Sequence, residues 1–187
     1  PAAKPGISVA VFGCGGVGLN VIQGAVLMGA SRIIAVDIHN HKLEFAYKFG
    51  ATDVINSRET DPVEAIKSLT GDGVDMAIDS FGSTKIVADG VKSLRRGGTA
   101  VMVGLVPVGD TASVDVVDMI RGQKTLVGSY YGSSSPHETF KKLVDYYLRG
   151  RIDIEGLITR TYSLDQINEG FSAIENGEDG RGVIVFP

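Results

Sequence analysis

Gly13-Cys14-Gly15-Gly16-Val17-Gly18 fits G-x-G-x-x-G and directly follows the apolar run Val9-Ala10-Val11-Phe12. Placed between a strand and a helix, such a turn leaves few folds open, because its glycines meet three separate demands. The first makes a tight turn, the second lets a pyrophosphate approach the backbone, and the third lets helix and strand pack closely. Val17, Val21, Ala25 and Met28 then recur at helical spacing. A helix starting there offers unpaired N–H groups and a partial positive charge to an anion.

The rest of the chain repeats the strand-then-helix alternation. Short β-branched runs at Ser8 to Phe12, Ile33 to Asp37, Asp53 to Asn56, Met76 to Asp79, Ala100 to Gly104 and Thr125 to Ser129 predict six strands. Between them Leu43, Ala46 and Tyr47, then Val63, Ile66 and Leu69, then Val87, Val91 and Leu94 mark helices. Alternation of this kind predicts a parallel sheet and an α/β fold. Asp61-Pro62-Val63-Glu64 combines an N-cap, a first-turn proline and a carboxylate, and so predicts a helix start. Gly29, Gly50, Gly71 and Gly97-Gly98 fall where helices are expected to end. Further on, Phe140, Leu143, Val144, Tyr147 and Leu148 predict an amphipathic helix ending near Gly150, and Arg151 to Tyr162 reads as less regular. Ser163-Leu164-Asp165-Gln166 reads as a capping box, and Gly182 to Phe186 as a last strand.

Composition excludes several classes. At 187 residues the chain suits one domain, or one plus a piece of another. Its 25 glycines and 6 prolines stay below low-complexity levels, and the net charge of −4 is spread with signs mixed, which argues against nucleic acid as a partner. The longest apolar run, Val9 to Leu19, contains four glycines and is too short to span a bilayer. The single cysteine, Cys14, forms no internal disulfide, which fits a reducing, cytoplasmic setting. Together with His39, His41 and His137 it does not make a zinc site, and the histidines read as exposed loop residues. A start at Pro1, only about seven residues before a strand, reads as a piece of a longer protein.

Asp37 ends the second strand 19 residues after Gly18, close to the spacing of the carboxylate that takes adenosine ribose hydroxyls. A carboxylate there repels the phosphate of NADP, so NAD is the expected cofactor. Lys42 either reaches the same ribose or lies on a solvated helix face. S-adenosylmethionine is the rival ligand, but Val9 to Phe12 lack the acidic residue methyltransferases usually carry before the glycines. No nucleophile triad or acid–base carboxylate pair appears, so no catalytic residue is assigned.

These residues resemble the coenzyme-binding domain of the zinc-dependent alcohol dehydrogenases, in the medium-chain dehydrogenase/reductase group. The likeness runs from about Ser8 to Phe186. It is carried by Val11 to Leu19, Ala35-Val36-Asp37-Ile38, Phe49-Gly50-Ala51-Thr52, Arg96-Gly97-Gly98-Thr99, and Leu157-Ile158-Thr159 leading to Ile167-Asn168-Glu169-Gly170-Phe171. The sibling quinone and enoyl reductases usually place Ala or Ser where this chain has Gly13-Cys14-Gly15.

The resemblance implies a doubly wound, six-stranded Rossmann sheet ordered 3-2-1-4-5-6, with NAD across its carboxyl edge. Gly13, Gly15, Gly16, Val17 and Gly18 would form the phosphate turn, Asp37 and Lys42 would hold the ribose, and Ser80 and Phe81 would flank adenine. Val103, Gly104 and Leu105 would line the nicotinamide pocket, with Ser129 and Tyr131 near the carboxamide and Arg181 at the pyrophosphate. Residues 1–150 would form the cofactor domain, and residues 151–187 would join a catalytic domain that carries the zinc and is absent from this sequence. The whole would interconvert an alcohol and an aldehyde, as a dimer joined through a sheet edge at Ser113 to Val116 and Thr125 to Ser129. A stand-alone NAD-sensing module is the alternative, as is a piece of a zinc-independent quinone or enoyl reductase.

Overall fold

The structure is a computed structural model that describes residues 4–178 and 180–186. Pro1, on which the reading of a truncated start rests, lies outside them. Contacts divide the chain into two compact units, Pro1–Ser134 and Ser135–Pro187.

The first unit runs β1 (Ser8–Phe12), α1 (Gly16–Leu27), β2 (Arg32–Asp37), α2 (Asn40–Lys48), β3 (Asp53–Asn56), α3 (Pro62–Thr70), β4 (Val74–Asp79), α4 (Thr84–Lys92), β5 (Leu94–Met102), α5 (Val116–Gly122) and β6 (Thr125–Gly128). All five strand pairings are parallel, in the order β3-β2-β1-β4-β5-β6, as expected. A parallel sheet is covered on both faces, so its strands are apolar throughout rather than alternating. Val9, Ala10, Val11 and Phe12, with Ile33, Ile34, Ala35 and Val36, are all buried. Ala10, Phe12, Ile34 and Val36 pack with Ile66 of α3 and Val91 of α4. Their neighbours along each strand point to the opposite face.

Asp61 caps α3 as its sequence predicts: Oδ1 accepts from the N–H groups of Val63 at 2.9 Å and Glu64 at 3.1 Å. The fourth crossover departs from expectation. α4 stops at Lys92, and the Ser93 hydroxyl donates to the Asp89 carbonyl at 2.7 Å. Leu94, read as part of a helical face, instead begins β5, and Gly97-Gly98 lie inside that strand rather than at a helix end. Val74 pairs with Leu94 but Met76 pairs with Thr99, so β5 bulges. Gly97 supplies the positive φ of 76° within the bulge. Pairing with β4 overrides the helical spacing of Val87, Val91 and Leu94. A second departure concerns Ser113 to Val116, read as a sheet edge: residues 113–115 form no strand and Val116 opens α5, capped by Asp115.

The second unit contains α6 (Pro136–Leu148), β7 (Arg160–Tyr162), α7 (Ile167–Glu175) and β8 (Gly182–Ile184). β7, inside the stretch read as irregular, pairs in parallel with β8. Ser163 and Gln166 make the expected capping box ahead of α7. Leu157, Tyr162 and Ala173 are buried. Among the described residues no helix is long and apolar enough to cross a membrane.

Candidate cofactor site

Parallel register brings Phe12, Val36, Asp79, Met102 and Gly128 level at the carboxyl edge of the sheet. The chain leaves β1 between β2 and β4, where the strand order reverses, the switch point at which open α/β sheets take their ligands. The glycine turn occupies it.

The three motif glycines meet three different surroundings. Gly13 has φ 92°, a left-handed conformation, and its N–H donates to the Val36 carbonyl at 2.8 Å. A Cβ on Gly18 would lie 1.8 Å from the Gly13 carbonyl oxygen, so only glycine lets α1 approach the turn. At Gly15 a Cβ would meet nothing within 4 Å, and φ −78° is open to any residue. The fold requires glycine at 13 and 18 but leaves open space above 15. Gly15 is also the N-cap of α1 and brings no side-chain cap, so the first-turn N–H groups, from Gly16 and Val17 onward, lack intrahelical partners. An anion laid over Gly15 would meet donors and the positive end of the helix.

Asp37 lies beside this turn. Its Oδ2 accepts from the Cys14 N–H at 2.8 Å and its Oδ1 from the His39 N–H at 3.0 Å. The carboxylate therefore both fastens the turn to β2 and turns the chain into α2, with acceptor capacity left on each oxygen. Lys42 is half-buried in the first turn of α2. The Cys14 thiol is buried, and burial, reinforced by the Asp37 carboxylate against the weaker opposing pull of Lys42, raises its pKa to about 12. It stays protonated and is no nucleophile.

Across β1 from Asp37, the loop after β4 stands against the first glycine. The Ser80 hydroxyl lies 2.9 Å from the Phe12 carbonyl and 2.8 Å from that of Gly13, clamping β4 to the turn. Phe81 is 70% exposed, and a Cβ on Gly13 would sit 3.1 Å from its Cβ. Ser80 and Phe81 thus stand at the first glycine, with β1 between them and Asp37. Val103 and Gly104 follow β5, and both their N–H groups donate to the Asp79 carbonyl, at 2.9 and 3.0 Å. Leu105 is 77% exposed beyond them. Ser129 follows β6, its N–H donating to Met102, and exposed Tyr131 makes an edge contact with Tyr130. One edge of one unit therefore gathers every assigned residue except Arg181, which precedes β8 in the second unit.

Sequence reading missed Asp79. Its side chain is 1% exposed, and the signal for it was an acidic residue closing an apolar strand three positions before a glycine.

A cleft of about 720 Å³ lies at the opposite, amino-terminal edge, lined by Ser8, Arg32, Asp53, Asp75 and Arg95 among others. Four of its charged side chains are matched in two pairs. Arg32 pairs with Asp53 at 2.9 Å, and Arg95 and Ser8 both hold Asp75. Burial works to raise the Asp75 pKa, but the Ser8 N–H and hydroxyl and the Arg95 guanidinium outweigh it and keep it below the usual carboxylate range. With donors and acceptors spent on one another, this cleft is a weaker ligand site than the carboxyl edge.

Comparison with known proteins bears on the family and the fold. The family model described as zinc-binding dehydrogenase matches residues 16–149. S-(hydroxymethyl)glutathione dehydrogenase of Saccharomyces cerevisiae is 36% identical over 187 residues, covering 97% of this chain and 48% of that protein. The crystal structure of benzyl alcohol dehydrogenase from Acinetobacter calcoaceticus is 39% identical with a TM-score of 0.96, covering 99% of this chain and 51% of the other. A Sinorhizobium meliloti 1021 protein assigned to the zinc-binding dehydrogenases, and bound to NADP, is 30% identical with a TM-score of 0.85, over 91% of this chain and 50% of that one. The chain spans about half the length of the curated relatives it matches.

Proposed function

The chain belongs to the zinc-binding dehydrogenase family, and from that premise we propose that it is the NAD-binding half of an oxidoreductase that interconverts an alcohol and an aldehyde. The observation that carries the cofactor reading is Gly15: a glycine that the fold does not need, with open space above it, at an uncapped helix N-terminus beside Asp37. Bound NAD supplies the hydride acceptor, and NADH the donor in the reverse direction. The chain's own residues bind and orient the dinucleotide. First-turn N–H groups of α1 take the pyrophosphate, and Asp37, with Lys42 beside it, takes the ribose hydroxyls. Val103, Gly104, Leu105, Ser129 and Tyr131 shape the nicotinamide end. Residues 1–150 serve as the cofactor domain, and residues 151–187 lead toward the substrate half. A relative bound to NADP belongs to the same fold, yet the Asp37 carboxylate favours NAD here. Coverage of about half of each full-length dehydrogenase supports an enzyme half over a free-standing NAD sensor. A cytoplasmic setting accords with the single buried thiol. Titration calorimetry with NADH tests the assignment: saturable one-to-one binding is expected, and no heat at millimolar NADH would contradict it.

Zinc does not fit the residues present. Among the described residues no group of three His, Cys, Asp or Glu is placed to hold a metal, and Cys14 is a buried thiol. The purified chain is therefore expected to hold no stoichiometric zinc by elemental analysis. It is also expected to show no alcohol-dependent NADH absorbance approaching ordinary turnover, on the order of 1 per second or more.

Self-association is part of the same reading. β6 ends the sheet, its outer edge has no strand partner among the described residues, and Leu126 and Val127 are exposed on it. Such edges pair readily with a copy of themselves. With residues 113–116 outside the sheet, the dimer contact falls to β6. Light scattering at high concentration with NADH present should give twice the chain mass, and a monomer throughout would exclude this contact.

A further inference from the structure

The buried carboxylate that closes β4 has no role in the cofactor contacts assigned above, and its surroundings are unusual for a core residue. Asp79 Oδ1 accepts two hydrogen bonds, from the Phe81 and Gly82 N–H groups, both at 2.9 Å. Its Oδ2, fully buried, has no hydrogen-bond partner among the described residues. A buried carboxylate oxygen without a donor costs stability, and such groups call for an explanation in function. Serine or asparagine could close the same turn without burying a charge-bearing group.

The turn held by Oδ1 is what the neighbouring loop rests on. A Cβ on Gly82 would lie 2.3 Å from the Leu105 carbonyl oxygen, and one on Gly104 would lie 2.1 Å from the Gly82 nitrogen, so the loops after β4 and β5 touch backbone to backbone. The Asp79 carbonyl holds the same second loop through the Val103 and Gly104 N–H groups. One residue thus fastens both loops, by side chain on one side and main chain on the other, and both lie across β1 from Asp37.

We propose that Asp79 is a positioning residue for the nicotinamide half of the cofactor: through Gly82 it sets where Val103, Gly104 and Leu105 stand, without touching the cofactor itself. The inference rests on the NAD-binding reading and adds a residue that carries it. It implies a division of labour within the crevice, in which the adenosine half depends on Asp37 and the glycine turn, and the nicotinamide half depends on Asp79.

The experiment compares two ligands, NADH and ADP-ribose, which share the adenosine diphosphate ribose portion and differ by the nicotinamide. Asp79→Ala removes the acceptor for both N–H groups, whereas Asp79→Asn keeps an acceptor in the place of Oδ1. In the 187-residue chain Asp79→Ala is expected to weaken NADH about tenfold or more, Asp79→Asn by less than about threefold, and neither to move ADP-ribose by more than about threefold. Equal losses for the two ligands would make Asp79 a general support of the fold and overturn the proposal, as would unchanged NADH affinity in folded Asp79→Ala. If Asp79→Ala does not fold, Gly82→Ala decides, because its added methyl group must part the two loops while leaving Asp79 in place. Loss of NADH with ADP-ribose retained supports the proposal, and no change, or equal loss, overturns it. An unmodified chain that binds neither ligand overturns the NAD reading and this inference with it. Binding of both with no effect of any variant overturns this inference alone.

Discussion

Gly15→Val should abolish NADH binding and leave the chain folded, while Gly18→Ala should lower the stability of the fold itself. At position 15 a side chain enters open space at an allowed φ, so the backbone accepts it and only the pyrophosphate's approach is lost. Valine is a poorer N-cap than glycine by at most about 1 kcal/mol, worth roughly 2 to 4 °C in Tm for a chain of this size. At position 18 even a methyl group meets the Gly13 carbonyl oxygen at 1.8 Å and the Ser80 hydroxyl at 2.8 Å. α1 must then lift from β1, and overpacking of that kind costs about 1 to 3 kcal/mol or more. Calorimetric titration and thermal melts of both variants check the pair. Tight NADH binding by Gly15→Val would remove the observation on which the cofactor site stands, and an unchanged Tm in Gly18→Ala would contradict the packing of the turn.

Asp37→Ala should weaken NAD by about 1.5 to 3 kcal/mol, the usual range for a hydrogen bond to a charged group, which is roughly ten- to a hundredfold. Discrimination against NADP should shrink at the same time, because the repelling carboxylate is gone. The substitution also frees the Cys14 and His39 N–H groups, so some loss arises from a looser turn. That part falls on NAD and NADP alike, and the ratio of the two affinities isolates the charge. Competitive titration of the two cofactors gives the ratio, and equal affinities in the unmodified chain would refute the carboxylate argument.

Where a structure followed from neighbouring residues, it was legible. Asp61-Pro62 caps α3 with its own side chain, and the box from Ser163 to Gln166 closes within one turn. The glycine spacing and Asp37, 19 residues beyond it, located the crevice because a strand, a tight turn and a helix follow one another in the chain there. Alternating strands and helices made the parallel sheet readable, and the strand order came from the family resemblance.

Tertiary structure decided what depends on partners far along the chain. Leu94 had the spacing of a helix and became a strand because Val74 lies next to it, and Gly97 became a bulge because β4 and β5 differ in length between their pairings. Ser113 to Val116 left the sheet once Asp115 capped α5, whereas Arg160 to Tyr162 entered one because Gly182 to Ile184 lies alongside. Ser80, assigned by resemblance to a base, spends its hydroxyl on carbonyls 67 and 68 residues away. Asp79 was marked in the sequence only as an acidic residue ending an apolar strand; its task stayed hidden because the amides it holds are local but the loop they support belongs to another strand. Local chemistry determined the helix starts, the glycine turn and the carboxylate that ends β2. The bulge in β5, the edge of the sheet and the buried carboxylate at the end of β4 were decided by hydrogen-bond partners and close contacts that form only once distant segments are packed together.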